Sequence, residues 1–202
     1  MKWSTGVGHL QLAAEACVRM AELPPRVRGL RVTQLWAVGE ILGPRRDLEW
    51  TSVALSVDLP PAEVAWWTVP PGGDDWAEVT RLSKHPIVHW WRSAQVPVWN
   101  HRIVRPLLVW DETNGIDSDA ISAAREGRGA AGGLPEPRQE DFVARMEDEL
   151  AISLAELERR TEEYDSQPMT RLGVRGDALY AAARGYLDVL ANQPSTGDDA
   201  KG

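Results

Sequence analysis

Between Arg81 and Arg105 the sequence interleaves Arg81, Lys84, His85, His89, Arg92, His101, Arg102 and Arg105 with Trp90, Trp91 and Trp99. Cationic groups among flat indoles could hold a phosphate by charge and a base by stacking, the chemistry of nucleotide and single-strand binding. The same residue types also suit a second arrangement, with tryptophans in a core and arginines paired to acidic side chains. From this stretch Arg92, His101, Arg102 and Arg105 are taken as candidate ligand-binding residues. His85 and His89 stand four apart, a spacing that on a helix turns two imidazoles to one side for a metal. Pro86 between them and the lack of a third ligand argue against that use, so no metal or cofactor is assigned.

Other chemistry is narrower. Asp47-Leu48-Glu49-Trp50 alternates acid and apolar residues, a pattern that could present two carboxylates to magnesium. Gly43-Pro44 just before it predicts a turn rather than a strand, which suits two solvated charges. The phosphate loop GxxxxGK[ST], the nucleophile elbow GxSxG and the zinc motif HExxH do not occur. Cys17 is the only cysteine, so neither an internal disulfide nor a cysteine-rich zinc site can form; its neighbours at helical spacing are apolar, which predicts a buried, inert thiol.

The elements that must position these groups follow from periodicity. Val7, Leu10, Ala14, Val18 and Ala21 make one helical stripe, with Ser4 or Thr5 as its expected cap and Pro24-Pro25 as its end. Leu30 to Val38 reads as a strand ending at Gly39, and Trp50 to Asp58 as a second strand. In that second strand Thr51, Val53, Leu55 and Val57 face one way and Ser52, Ala54 and Ser56 the other. Asp74 or Asp75 is expected to cap a helix through Trp76, Val79 and Leu82, and Pro86 to start another through Trp90 and Trp91. Leu107 to Trp110 is the most strand-like part of the next segment, and a short helix runs from Asp117 to Arg125.

Beyond the Gly/Pro-rich stretch, Phe142, Val143, Met146, Leu150, Leu154, Leu157 and Tyr164 predict the inner face of a long helix whose other face is acidic, including Glu149 and Glu156. Thr170 is expected to open a last helix with Val174, Ala178, Ala182, Tyr186 and Val189 inward. The resulting expectation is an α+β core over 1–126, a linker over 127–138, a helical hairpin over 139–192 and a disordered tail over 193–202.

The order helix, strand ending in Gly39, turn, strand, helices, strand resembles the minimal nucleotidyltransferase fold. In that superfamily a glycine pair closes the first strand, and an acid pair opening the second holds two magnesium ions that clamp the triphosphate. Gly39 matches and joins the candidate site residues, whereas Glu40 replaces the small second residue and Ser52 and Ala54 stand where the acids belong. At a finer level MKWS, LRVTQLWAVGEILGP and PVWNHRIVRPLLVWD resemble a bacterial family described only as a domain of unknown function, over nearly the whole chain. That resemblance implies no activity.

Bulk properties set the frame. The 202 residues are 43% hydrophobic and 26% charged, as in globular proteins. All ten tryptophans lie between Trp3 and Trp110, so the chain is tryptophan-rich in its first part and acidic and helical in its second. A formal charge of −8 argues against bulk nucleic-acid binding, which needs clustered cations. No stretch is long and apolar enough to span a bilayer, and the N-terminal segment MKWSTGVGHL has no signal-peptide pattern, so a cytoplasmic location is expected.

Together these features predict a pseudoenzyme: a nucleotidyltransferase-like chain, non-catalytic, that binds a protein or a small phosphate-containing ligand. The alternatives are a magnesium-dependent nucleotidyltransferase using displaced acids Asp47 and Glu49, and an interaction protein working through its helical hairpin.

Overall fold

Val7, Leu10 and Ala14 of the expected stripe, with Cys17, lie on the buried face of α1 (Trp3–Ala21) in the computed structural model, which describes residues 1–166 and 172–194, while Val18 and Ala21 are half-buried at its edge. Neither Ser4 nor Thr5 caps this helix; Lys2 is the N-cap and makes no side-chain cap bond. The start is pinned instead by the N-terminal ammonium, which donates to the Leu48 carbonyl at 2.7 Å. A single turn, α2 (Pro25–Arg28), leads to the first strand.

Strand β1 (Val32–Val38) pairs antiparallel with β2 (Thr51–Val57) and with β4 (Leu107–Asp111). Strand β2 pairs parallel with β3 (Ile87–Ser93), and the short β5 (Gly115–Ile116) pairs antiparallel with β4. The result is an open mixed sheet of order β3-β2-β1-β4-β5. Between β2 and β3 comes α3 (Gly73–Val79), and after β5 comes α4 (Ser118–Arg125), capped by Asp117. The fold is therefore α+β, a small mixed sheet with helices and a C-terminal helical pair, α5 (Gln139–Asp165) and α6 (Leu172–Ala191).

One face of the sheet carries the main core, where Leu35, Ala37, Val53, Leu55, Val57 and Val109 join the inner residues of α1 and α4. The contact is close at the start of β2. A Cβ on Gly6 would stand 2.6 Å from Leu48 Cδ1, and the Thr51 hydroxyl donates to the Gly6 carbonyl at 3.1 Å. The other face of β2 is also buried: Ser52, Ala54 and Ser56 are covered, and Trp36 donates its indole N–H to Ser56 Oγ at 3.1 Å.

Four expectations are corrected. Pro86 starts a strand, not a helix: Ile87-Val88-His89-Trp90-Trp91 is β-branched and aromatic, and Pro86 offers its carbonyl to the Thr51 N–H at 2.9 Å while needing no donor of its own. Helix α3 is capped by Gly72 at φ +79°, with Asp74 and Asp75 in its first turn, where they face the positive end of the helix. It ends at Val79, which is exposed, so Leu82 belongs to the following turn.

The fourth correction concerns α5, which buries Arg145, Met146, Glu149, Ser153 and Glu156 while Leu154 is exposed. The charges inside are paired along the helix, Arg145 with Glu149 at 3.5 Å and Glu156 with Arg159 and Arg160 at 2.7 and 2.8 Å. Paired and hydrogen-bonded charges tolerate burial that isolated ones do not.

The chain divides into two units, one of Met1–Val64 and Val69–Glu136, the other of Ala65–Thr68 with the described residues from Pro137. In the second unit the segment 65–68 docks on α6. Asp188 accepts the indole N–H of Trp66 at 2.8 Å and of Trp67 at 3.2 Å, and the Arg184 guanidinium lies 3.8 Å from the Trp67 ring centre. Gly185 lets this happen, since a Cβ there would stand 2.1 Å from the Trp66 carbonyl oxygen. At the end of α6, Gln193 donates to the Met146 carbonyl of α5 at 3.0 Å. Thr170 and the tail from residue 195 lie outside the described residues.

Candidate ligand-binding site

The register gathers one end of each long strand together. Val38 pairs with Ser52, Thr51 with Ile87 and Ala37 with Leu107, so the end of β1 lies beside the starts of β2, β3 and β4. Gly39 and Arg105 are thereby brought to the same end of the sheet. Gly39 leaves β1 with φ +71° and opens the turn Gly39–Leu42; nothing stands within 4 Å of where its Cβ would be, so the positive φ and not crowding requires glycine. Glu40 beside it is ion-paired to Arg46 at 2.7 Å. Arg105 is exposed, has φ +46°, and donates to the Ala130 carbonyl at 3.2 Å.

Arg92 lies at the opposite end of the sheet, paired with Ser56 on β2. It is buried, and its Nε donates to the Val98 carbonyl at 3.0 Å, which ties the loop after β3 to the strand. His101 and Arg102 sit on a turn built by buried Asn100, whose Oδ1 accepts the N–H groups of Arg102 and Ile103 at 2.9 Å each. Arg102 is exposed there and His101 half-buried. The five candidate residues thus fall into a Gly39–Arg105 group and a separate Arg92 position, with the Asn100 turn in the connection back to β4.

The stacking platform is not formed by Trp91. Its ring is buried edge-on to Trp76 at 5.8 Å and to His89 at 5.6 Å, as part of the core. His89 is held below the ordinary imidazole range by burial, opposed in part by the charge of Asp74. With His89 on β3 and His85 in the turn before it, the two cannot share a helix face as a metal pair would; His85 instead meets His9 of α1, ring centres 5.1 Å apart. Nothing in local spacing links His9 to His85. Among the described residues no group of three or more His, Cys, Asp and Glu side chains is placed to hold a metal ion.

The displaced acids stay at the surface. Asp47 and Glu49 are exposed while Leu48 between them is buried under α1, so the turn places both carboxylates in solvent. An open groove of about 590 Å³ lies between β4 and α4, lined in part by Leu107, Asp117, Asp119, Ser122, Glu126 and Arg128. Its charge is largely committed: Asp117 caps α4 through the Asp119 and Ala120 N–H groups, and Arg128 holds Glu126. Excess carboxylate makes the groove a poor phosphate site. The Cys17 thiol is buried and pushed well above its ordinary range, so it offers no thiolate.

Residues 1–195 match the model of a family described as Domain of unknown function (DUF7711). The chain belongs to that family. No curated protein and no solved structure matches it. For this DUF7711 chain, function has to be argued from its own side chains. None of its described helices is long and apolar enough to cross a membrane.

Proposed function

We propose that this protein is a binding protein built on a nucleotidyltransferase-like core and does not transfer nucleotides. One observation carries the reading. Ser52 and Ala54, at the positions on β2 where a metal-holding acid pair would stand, are not acids, and both are buried. A magnesium-bound triphosphate needs carboxylates it can reach from solvent, and neither side chain supplies charge or access. The exposed Asp47 and Glu49 lie on the turn before β2, outside the strand on which the acid pair of the fold would stand.

The test is incubation of the full chain with magnesium and labelled nucleoside triphosphates, followed by a search for label on the protein or on small acceptors. No transfer is expected. Transfer that is lost in Asp47→Asn with Glu49→Gln would replace the binding reading with an enzyme using those two acids.

A further inference from the structure

We propose that a cavity between α1 and the turn entering β3 binds a small phosphate-class oxyanion. The cavity is about 180 Å³; Arg19, Thr80, Arg81 and His85 supply its polar lining and Leu12 and Leu82 part of its apolar wall. No carboxylate lines it. Glu15 and Glu22 belong to α1 or its end and Glu78 to α3, and none of them faces the space.

Three observations converge. Arg31, Arg46, Arg128, Arg138, Arg159 and Arg160 each close an ion pair. Arg19 and Arg81 make no side-chain hydrogen bond or ion pair among the described residues, so two guanidinium groups with uncommitted donors border one small space. Secondly, Arg81 holds φ +58°, a conformation that suits glycine and disfavours any residue with a Cβ. A long cationic side chain kept at a strained position on a cavity rim is the kind of outlier that marks a site. Thirdly, His85, which lines the space with the two guanidinium groups, is backed by His9, whose Nδ1 is buried with no hydrogen-bond partner.

Two guanidinium groups can each offer a fork of N–H donors to a tetrahedral phosphate, whose oxygens outnumber the two of a carboxylate that a single fork already satisfies. The size sets the class: drug-sized ligands occupy roughly 300–1,000 Å³, so this space takes a phosphate group and little more. The phosphate is either free or the end of a larger molecule. This inference rests on the binding reading only in supposing that the chain binds ligands; nucleotide transfer would overturn that reading and leave the measurements below unaffected.

The experiment titrates inorganic phosphate, glycerol phosphate and acetate into the full chain at constant ionic strength. Calorimetry follows binding, and the imidazole NMR signals of His9 and His85 report its location. Saturable phosphate binding that moves both imidazoles is expected, with acetate at least about tenfold weaker. Arg19→Gln and Arg81→Gly should each weaken phosphate about tenfold or more. Arg81→Gly should also raise the midpoint of thermal unfolding by about 2–4 °C, because it relieves the positive φ. Tighter binding of glycerol phosphate than of phosphate supports the site and makes the phosphate the end of a larger ligand. The proposal is overturned by any of three results: no saturation up to about 50 mM phosphate, equal affinity for acetate, or unchanged affinity in both variants.

Discussion

Ala54 has no exposed surface and pairs with Trp36 on β1 and Trp90 on β3, so an acid placed there would have to ionise among indoles. Ala54→Asp is expected to destabilise the fold by about 3 kcal/mol or more, the scale for burying an unpaired carboxylate. Urea unfolding of the variant would check it, and a loss under about 0.5 kcal/mol, as for an ordinary surface change, would mean the site is open to solvent. The identity of Ser52 and Ala54 could be read from the sequence; their burial on the second face of β2 could not, because alternation alone suggests a polar, solvated side. The same limit applied to the basic stretch. Residue types between Arg81 and Arg105 are plain in the sequence, but Arg92 turns inward to a carbonyl and Trp91 into the core, while His85 meets His9 on α1, a neighbour that no local spacing indicates.

Among the elements, α1, β1, β2 and α4 were legible because apolar periodicity, a capping Asp117 and bounding Gly and Pro residues agree with one another. Strand β3 is ambiguous in the sequence because Pro86 suits the first position of either a helix or a strand; the β-branched and aromatic run that follows decides for the strand. Helix α5 forms where the periodicity predicts it, with Met146 buried and Phe142, Val143, Leu150, Leu157 and Tyr164 half-buried, but its covered face is wider than the apolar stripe. Hydrophobic periodicity supposes that apolar residues go inside, yet its covered side includes Arg145, Glu149 and Glu156. Glu149→Ala should therefore cost about 3 kcal/mol by removing the carboxylate that faces buried Arg145, whereas Leu154→Ala, on an exposed position, should cost less than about 1 kcal/mol. Equilibrium unfolding of the two variants tests the assignment, and the reverse order of losses would restore the apolar face as the buried one.

At the scale of the whole molecule the net charge of −8 sits on a chain whose second unit is acidic, and nothing in that composition indicates that four residues from the first half belong with it. Only three-dimensional contacts reveal that Ala65–Thr68 groups with the second unit, because neither its composition nor its place in the chain marks it as part of a helical pair. Asp188→Ala removes the acceptor shared by Trp66 and Trp67 and should destabilise this unit by about 1–3 kcal/mol, read as a change in tryptophan fluorescence at lower urea than for the native chain. An unchanged transition would show that the ring contacts hold the segment without the carboxylate. The same clamp sets an order of events during synthesis. Trp66 leaves the ribosome 122 residues ahead of its acceptor, so at ordinary elongation rates the two indoles wait on the order of ten seconds for Asp188 to be made. During that interval the growing chain carries an uncovered aromatic pair, and it is in that window, more than in the finished protein, that a chaperone would have something to hold.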